Sequence, residues 1–115
     1  MKNANVFVDV DLTLVDVNGK LLDGAREALS RLKDKGCHLF LWSTCGADYC
    51  RKVAALHGLT ELFEGFTAKP DIVSDDMPST CVSPFVYSVQ QEAAWPKLAE
   101  RIIQKHVDQE LGGEI

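Results

Sequence analysis

The chain lacks the features that mark several classes of protein. Its apolar stretches fall short of the roughly 20 residues that cross a membrane, and its first residues, Met1-Lys2-Asn3-Ala4-Asn5, do not have the layout of a signal peptide. No block of Lys and Arg stands out, and the formal net charge is −5, so a nucleic-acid partner is not indicated. We therefore expect a cytoplasmic protein without a membrane partner.

Disulfide and zinc patterns are also missing. The four cysteines are Cys37, Cys45, Cys50 and Cys81. Their spacing contains no CxxC pair, and no histidine lies at zinc-ligand spacing, so free thiols are expected. No repeat, linker or low-complexity tract divides the 115 residues, of which 46% are hydrophobic and 25% charged. This composition predicts a single globular domain spanning residues 1–115.

The first half of the chain alternates apolar runs with helical stripes. Residues 5–10 lack polar alternation, which is typical of a strand covered on both faces, and residues 39–42 predict a second buried strand. One helix is predicted between its N-cap, Asp23, and Gly36, which ends it, and a second over 47–57. Their expected core residues are Ala25, Ala28, Leu29 and Leu32, then Tyr49, Val53, Ala54 and Leu56. This order predicts a parallel sheet with right-handed crossovers.

The remaining segments give shorter signals. Asn18-Gly19 predicts a two-residue hairpin turn in a small flap over residues 15–22. Residues 62–67 fit either a third strand or an irregular connection, Ile72-Val73-Ser74 predicts a short strand, and residues 82–89 have β character interrupted by Pro84. Trp95-Pro96 predicts the start of a C-terminal helix, because proline is favoured in the first turn. Its expected buried stripe is Leu98, Ile102, Ile103 and Val107.

The segment Asp9-Val10-Asp11-Leu12-Thr13 directly follows the apolar run Val6-Phe7-Val8. Ligands of open α/β sheets bind at the carboxyl ends of the strands, which is where these two acids would lie. Two neighbouring carboxylates repel each other unless a cation or a proton relieves them. The segment therefore indicates Mg²⁺ and phosphate chemistry.

Two later motifs follow in a specific order. Ser43 comes directly after the second apolar strand, and Asp75-Asp76 comes directly after Ile72-Val73-Ser74. With the DxDxT segment, this pattern resembles the haloacid-dehalogenase-like (HAD) phosphohydrolase superfamily and covers residues 5–76. The resemblance implies an α/β fold with a three-layer, Rossmann-like parallel sheet.

The resemblance also implies roles for the acids. Asp9 would attack phosphorus and form an aspartyl-phosphate. Asp11 would protonate the leaving oxygen and then deprotonate the water that cleaves the intermediate. Mg²⁺ would lie between Asp9, the backbone carbonyl of Asp11 and one of Asp75 and Asp76, with Asp76 narrowly preferred. Backbone N–H groups after Asp9 would hold the phosphoryl oxygens.

The phosphate-binding residues implied by the resemblance are Ser43, Thr44 and Lys69. The family lysine neutralises the phosphoryl group, and Lys69-Pro70 resembles its motif. In the family a helix separates that lysine from the acidic pair, whereas an extended segment here would place Lys69 and Asp75 roughly 20 Å apart. Three alternatives follow. Lys69 is a surface residue, or an irregular connection brings it to the site, or a partner chain supplies the cation in its place.

Simpler structural roles are open for the other site residues. Asp9 and Asp11 fit a cap and a surface acid of a turn. Ser43 fits a cap for the following helix, and Thr44 competes with it for either role. The pair Asp75-Asp76 fits a solvated turn before Met77-Pro78.

The space between the motifs bears on the substrate. Only the flap and one helix separate Thr13 from Ser43, so the chain resembles a family member without a cap domain. Such an open site takes a bulky or exposed phosphorylated substrate, or is covered by another copy in a homo-oligomer. We expect a Mg²⁺-dependent phosphomonoester hydrolase. The alternatives are a phospho-acceptor module, whose acceptor Asp would stand where Ser43 does, and a degenerate relative that binds without turnover.

Overall fold

The fold is described by a computed structural model over residues 3–76, 85–92 and 94–108. Within these residues one parallel sheet has the order β1-β2-β3. Its strands are β1 (Asn5–Asp9), β2 (His38–Ser43) and β3 (Gly65–Ala68). The helices are α1 (Ala25–Asp34), α2 (Ala47–Leu56) and α3 (Trp95–Ile102); a 3₁₀ turn covers Thr60–Leu62, and a π-helical segment, Ile103–Asp108, continues α3. The expected α/β class and parallel sheet are confirmed.

The two faces of the sheet differ in burial. Val8, Leu39 and Leu41 are buried on one face and join the same core cluster as residues of α1 and α2. Side chains alternate along a strand, so Phe7 lies on the other face, where it is 45% exposed. Both crossovers step in the same direction, and crossovers of one hand then place their helices on one face. Burial on both faces of the first strand was therefore wrong for the described residues, and the three-layer arrangement stays a prediction.

Helix α1 buries the stripe that its spacing predicts. Ala25, Ala28, Leu29 and Leu32 are at most 4% exposed, and the helix packs against α3. Asp23 as N-cap was wrong. Gly24 occupies that position with φ 77°. Glycine fits there because the backbone lies against Pro96, and a Cβ at residue 24 would be 2.9 Å from Pro96 Cδ.

The predicted buried face of helix α2 was partly wrong. Cys50 and Ala54 are fully buried, whereas Leu56, an expected core residue, is 77% exposed. Residues four apart share a helix face, so Cys50 and Ala54 define the buried stripe and Leu56 lies away from it. Tyr49 and Val53 pack partly against the core as expected.

The third strand forms and the predicted fourth does not. Gly65–Ala68 pairs in parallel with β2, whereas the described residues 72–74 form no strand, and Ile72 is 90% exposed. A parallel partner needs a crossover of about a dozen residues, and the short segment after Ala68 does not provide one.

The C-terminal part is helical where Trp95-Pro96 predicts a start. Its expected stripe, Leu98, Ile102, Ile103 and Val107, is at most 9% exposed. Of the predicted β segment, residues 82–84 lie outside the described residues, and 85–89 form no strand. Among the described helices, none is long and apolar enough to cross a membrane.

The flap over residues 15–22 is a hairpin-like loop with a different turn from the one predicted. Val15 and Leu21 form an antiparallel bridge, and the Asp16 N–H donates to the Lys20 carbonyl at 2.8 Å. Asn18 does not share the positive φ of Gly19, which is 79°. The Asp16 carboxylate accepts the Asn18 and Lys20 N–H groups, which favours a three-residue loop over the two-residue turn.

Candidate functional site

The ends of the three strands bring together residues that are distant in sequence. Asp9 ends β1, Ser43 ends β2, and Lys69 follows the last residue of β3. Because the strands are parallel, these ends meet at one edge of the sheet. The Lys69 N–H continues the pairing by donating to the Ser43 carbonyl at 3.0 Å.

The Lys69 side chain crosses the end of β2 and reaches the end of β1. Its Nζ lies 3.2 Å from Asp9 Oδ1, and the two side chains are 33% and 35% exposed. Strands β1 and β3 are two spacings apart, about 10 Å, which the lysine and aspartate side chains span together. The structure therefore places Lys69 at Asp9 through a regular strand, β3, rather than through an irregular connection. The strand predicted at residues 72–74 does not form.

Trp42 lies beneath this ion pair and was missed as a site residue. It is the register partner of Asp9, and Lys69 Nζ is 5.8 Å from the centroid of its ring. A cation over an indole face is attracted by the ring's π electrons. The alternation of side chains along β2, together with the parallel pairing, would have placed Trp42 on the same face as Asp9.

Asp11 has a hydrogen-bond partner from the next helix. The Tyr49 hydroxyl, in the first turn of α2, donates to Asp11 Oδ1 at 2.7 Å. This hydrogen bond, with smaller contributions from burial and from the Asp11 charge, raises the pKa of Tyr49 to about 12. Tyr49 was predicted as a core contact only; the signal for a second role was its position in the helix that starts at the same sheet edge.

The loop after Asp9 is tightly organised. The Val10 carbonyl accepts the N–H groups of Leu14 at 2.9 Å and Val15 at 3.1 Å, and the Leu12 N–H donates to the Val15 carbonyl at 2.8 Å. The Trp95 indole N–H donates to the Thr13 carbonyl at 2.8 Å. The loop that carries Asp11 is thus fixed both by its own backbone and by the start of α3.

Ser43 is buried, with 2% exposure. Its Oγ accepts the Cys45 N–H at 3.0 Å, so the hydroxyl stabilises the turn between β2 and α2. Gly46, rather than Ser43, occupies the N-cap position of α2, so the alternative role of Ser43 as a cap for that helix is wrong. Thr44, the next residue, is exposed.

The predicted metal ligands are only partly assembled. Asp75 and Asp76 are exposed and follow β3 in the chain. Among the described residues, no group of three or more His, Cys, Asp and Glu side chains is placed to hold a metal ion. Asp9 and Asp11, at and just beyond the end of β1, do not by themselves make up the oxygen-ligand set expected for Mg²⁺.

The three cysteines among the described residues are unlinked. Cys45 is exposed, whereas Cys37 and Cys50 are buried and free; Cys81 lies outside the described residues. Burial raises the pKa of the Cys50 thiol, whose Sγ is 3.8 Å from the Thr67 carbonyl of β3. Cys50 therefore ties α2 to the strand that precedes Lys69.

Comparisons of the chain with protein-family models, curated proteins and solved structures find no match.

Proposed function

We propose that this chain is an HAD-like phosphomonoester hydrolase in which Asp9 is the nucleophile. The observation that carries the proposal is the ion pair between Asp9 and Lys69, 3.2 Å apart at the ends of β1 and β3. An anionic nucleophile that approaches an anionic phosphate needs a cation beside it, because the two charges otherwise repel. Lys69 supplies that cation from within the same chain.

The proposed reaction has two steps. An Asp9 carboxylate oxygen attacks phosphorus, the bond from phosphorus to the ester oxygen breaks, and Asp11 gives its proton to the departing oxygen. Asp11 then takes a proton from water, which attacks phosphorus and displaces the Asp9 oxygen as inorganic phosphate forms. Lys69 neutralises charge on the phosphoryl oxygens in both steps.

Hydrogen bonds within the loop exclude several of its backbone N–H groups as donors to the phosphoryl oxygens. The N–H groups of Leu12, Thr13, Leu14 and Val15 donate to carbonyls within the loop. Because Val10 is fully buried, this leaves the N–H group of the exposed Asp11 as the proposed backbone donor to the phosphoryl oxygens. The Ser43 hydroxyl, which accepts the Cys45 N–H, still has its own proton to donate.

A requirement for Mg²⁺ is part of the proposal, and the assay with and without the ion tests it. The resemblance assigns the ion to Asp9, Asp11 and one of Asp75 and Asp76, a set that the described residues do not assemble. The bond changes proposed above involve the substrate, water and side chains of this chain. A bulky or exposed substrate is proposed because Asp9 and Lys69 are each about one third exposed.

The test is hydrolysis of an aryl phosphate by the purified chain, with and without Mg²⁺. We expect phosphate release that depends on Mg²⁺ and falls by about 10⁴-fold or more in Asp9→Asn, because removal of a nucleophile abolishes the covalent route. The matched control is Asp34→Asn, an exposed acid at the end of α1, which should retain full activity. Equal activity of Asp9→Asn and the wild type would refute the proposal.

The same experiment separates the alternatives. Trapping of a phosphoryl group or its mimic on a residue other than Asp9 would favour the phospho-acceptor module, whereas trapping on Asp9 would support the hydrolase. Mg²⁺ binding without turnover across a broad phosphate panel would favour a degenerate relative. Circular dichroism of each variant establishes that a lost activity is not lost folding.

A further inference from the structure

The hydroxyl of Tyr49 binds the carboxylate that the proposed reaction uses as its acid and base. We propose that Tyr49 is a positioning residue that holds the Asp11 carboxylate toward the leaving group. This inference rests on the proposed function and adds a residue to it. Its basis is the 2.7 Å hydrogen bond from Tyr49 Oη to Asp11 Oδ1, which lies in the usual range for O–H···O bonds.

Among the described residues, the Tyr49 hydroxyl is the side-chain partner that holds Asp11. Asp11 lies beyond the end of β1 and is exposed, so rotation about its side-chain bonds would move the carboxylate away from a bound substrate. A hydrogen bond to Oδ1 removes that freedom and leaves Oδ2 to carry the proton. Proton transfer in a transition state requires such a fixed distance and direction.

Tyr49 is itself firmly held. It packs partly against the core, and the next residue, Cys50, is fully buried. The Sγ of Cys50 contacts the Thr67 carbonyl in β3, the strand that delivers Lys69. One turn of α2 therefore sets the position of Asp11 relative to the cation at Asp9.

A purely structural role for the hydroxyl fits the loop less well. The loop after Asp9 already has several backbone hydrogen bonds and the indole of Trp95 on the Thr13 carbonyl. Removal of the Tyr49 hydroxyl therefore leaves the loop's backbone hydrogen bonds in place. Its loss should change proton transfer more than it changes folding.

The test compares two substrates that differ in their need for an acid. The nitrophenolate of 4-nitrophenyl phosphate leaves without much help, whereas the leaving group of phenyl phosphate needs a proton. In Tyr49→Phe we expect kcat/KM for phenyl phosphate to fall about 10-fold or more, within the range of general acid catalysis, and that for 4-nitrophenyl phosphate to change about twofold or less. The double variant Asp11→Asn/Tyr49→Phe should match Asp11→Asn alone, because the hydroxyl acts through that carboxylate.

The chain provides a matched control. The hydroxyl of its other tyrosine, Tyr87, is hydrogen-bonded to His106 Nε2 at 2.6 Å. Tyr87→Phe should leave the ratio of the kcat/KM values for the two substrates unchanged. Wild-type values for both substrates in Tyr49→Phe would overturn the inference, as would equal losses for both with a lowered unfolding midpoint. Absence of hydrolysis in the wild type would instead remove the proposed function and the inference together.

Discussion

Leu12 adopts a backbone conformation that its residue type disfavours. Its φ is 61°, in the left-handed region where glycine and asparagine are common and other residues cost about 1 kcal/mol or more. The Leu12 N–H donates to the Val15 carbonyl at 2.8 Å, and its own carbonyl accepts from the Gln90 side chain. These partners hold the conformation directly beside Asp11, so local strain and the candidate acid share one loop.

A substitution that keeps the side-chain volume measures this strain. Leu12→Ile adds a branch at Cβ, which is least tolerated at positive φ, so we expect the free energy of unfolding to fall by about 1–2 kcal/mol. The control is Leu56→Ile at an exposed, helical position, where only the small difference in helix propensity acts. Urea denaturation measures both, and equal losses would show that residue 12 is unstrained.

At the scale of elements, one glycine joins the starts of two helices. Gly24 is the residue before α1 and has φ 77, and a Cβ there would lie 2.9 Å from Cδ of Pro96, the second residue of α3. Helix α3 in turn packs on α1 and donates its Trp95 indole N–H to the Thr13 carbonyl of the site loop. The close approach at Gly24 therefore contributes to the position of that loop.

The chain contains a matched pair of glycines for testing this contact. Gly19 also has positive φ, 79°, but a Cβ at that position would meet open space. Both Gly19→Ala and Gly24→Ala should lose about 1 kcal/mol from the left-handed backbone, and Gly24→Ala should lose a further 1–3 kcal/mol, roughly, from the clash with Pro96. Chemical denaturation gives the difference, and the same loss for both would show that the helices shift apart without cost.

At the scale of the whole molecule, His106 links the C-terminal helical segment to the residues before α3. Its Nε2 is 2.6 Å from the Tyr87 hydroxyl, and its ring centroid is 4.4 Å from that of Phe85. Burial, followed by the positive charge of Lys105, holds the pKa of His106 below its ordinary value of 6.5. The neutral ring is thus the form that the folded chain prefers.

This preference predicts a loss of stability in mild acid. Between the lowered pKa of the folded state and the ordinary 6.5, the unfolded chain binds the proton and the folded chain does not, so the free energy of unfolding falls as the pH falls. His106→Gln removes the titrating ring, and its free energy of unfolding should decline less over this range. Urea denaturation at several pH values measures both slopes, and identical slopes would contradict the prediction.

Local patterns predicted much of the fold, whereas non-local pairing decided the remainder. The α1 stripe and the start of α3 at Trp95 were predictable, because helical spacing and a first-turn proline act within a few residues. Leu56 was misplaced because the buried face of α2 is set by its packing on the sheet. Ile72-Val73-Ser74 has the composition of a strand, but the short connection after β3 does not return the chain for parallel pairing.

The candidate site was predictable to a similar extent. The strand before Asp9 and the resemblance predicted both Asp9 and Lys69, but only the register of β3 on β2 showed that the lysine side chain reaches Asp9. Tyr49 was missed at the site because its hydroxyl pairs with a residue 38 positions away, which no local period reports. Thr44, predicted to bind phosphate, is exposed beside the buried Ser43.

The strand order also has a consequence for how the chain is made. Since β2 pairs with β1 and β3 pairs with β2, each strand emerging from a ribosome meets the free edge of the strand synthesised just before it. The sheet can therefore grow in the direction of translation, and each new strand docks after the single crossover that precedes it. Asp9 is synthesised first and obtains Lys69 last, so the charge balance of the site is completed only when β3 has docked.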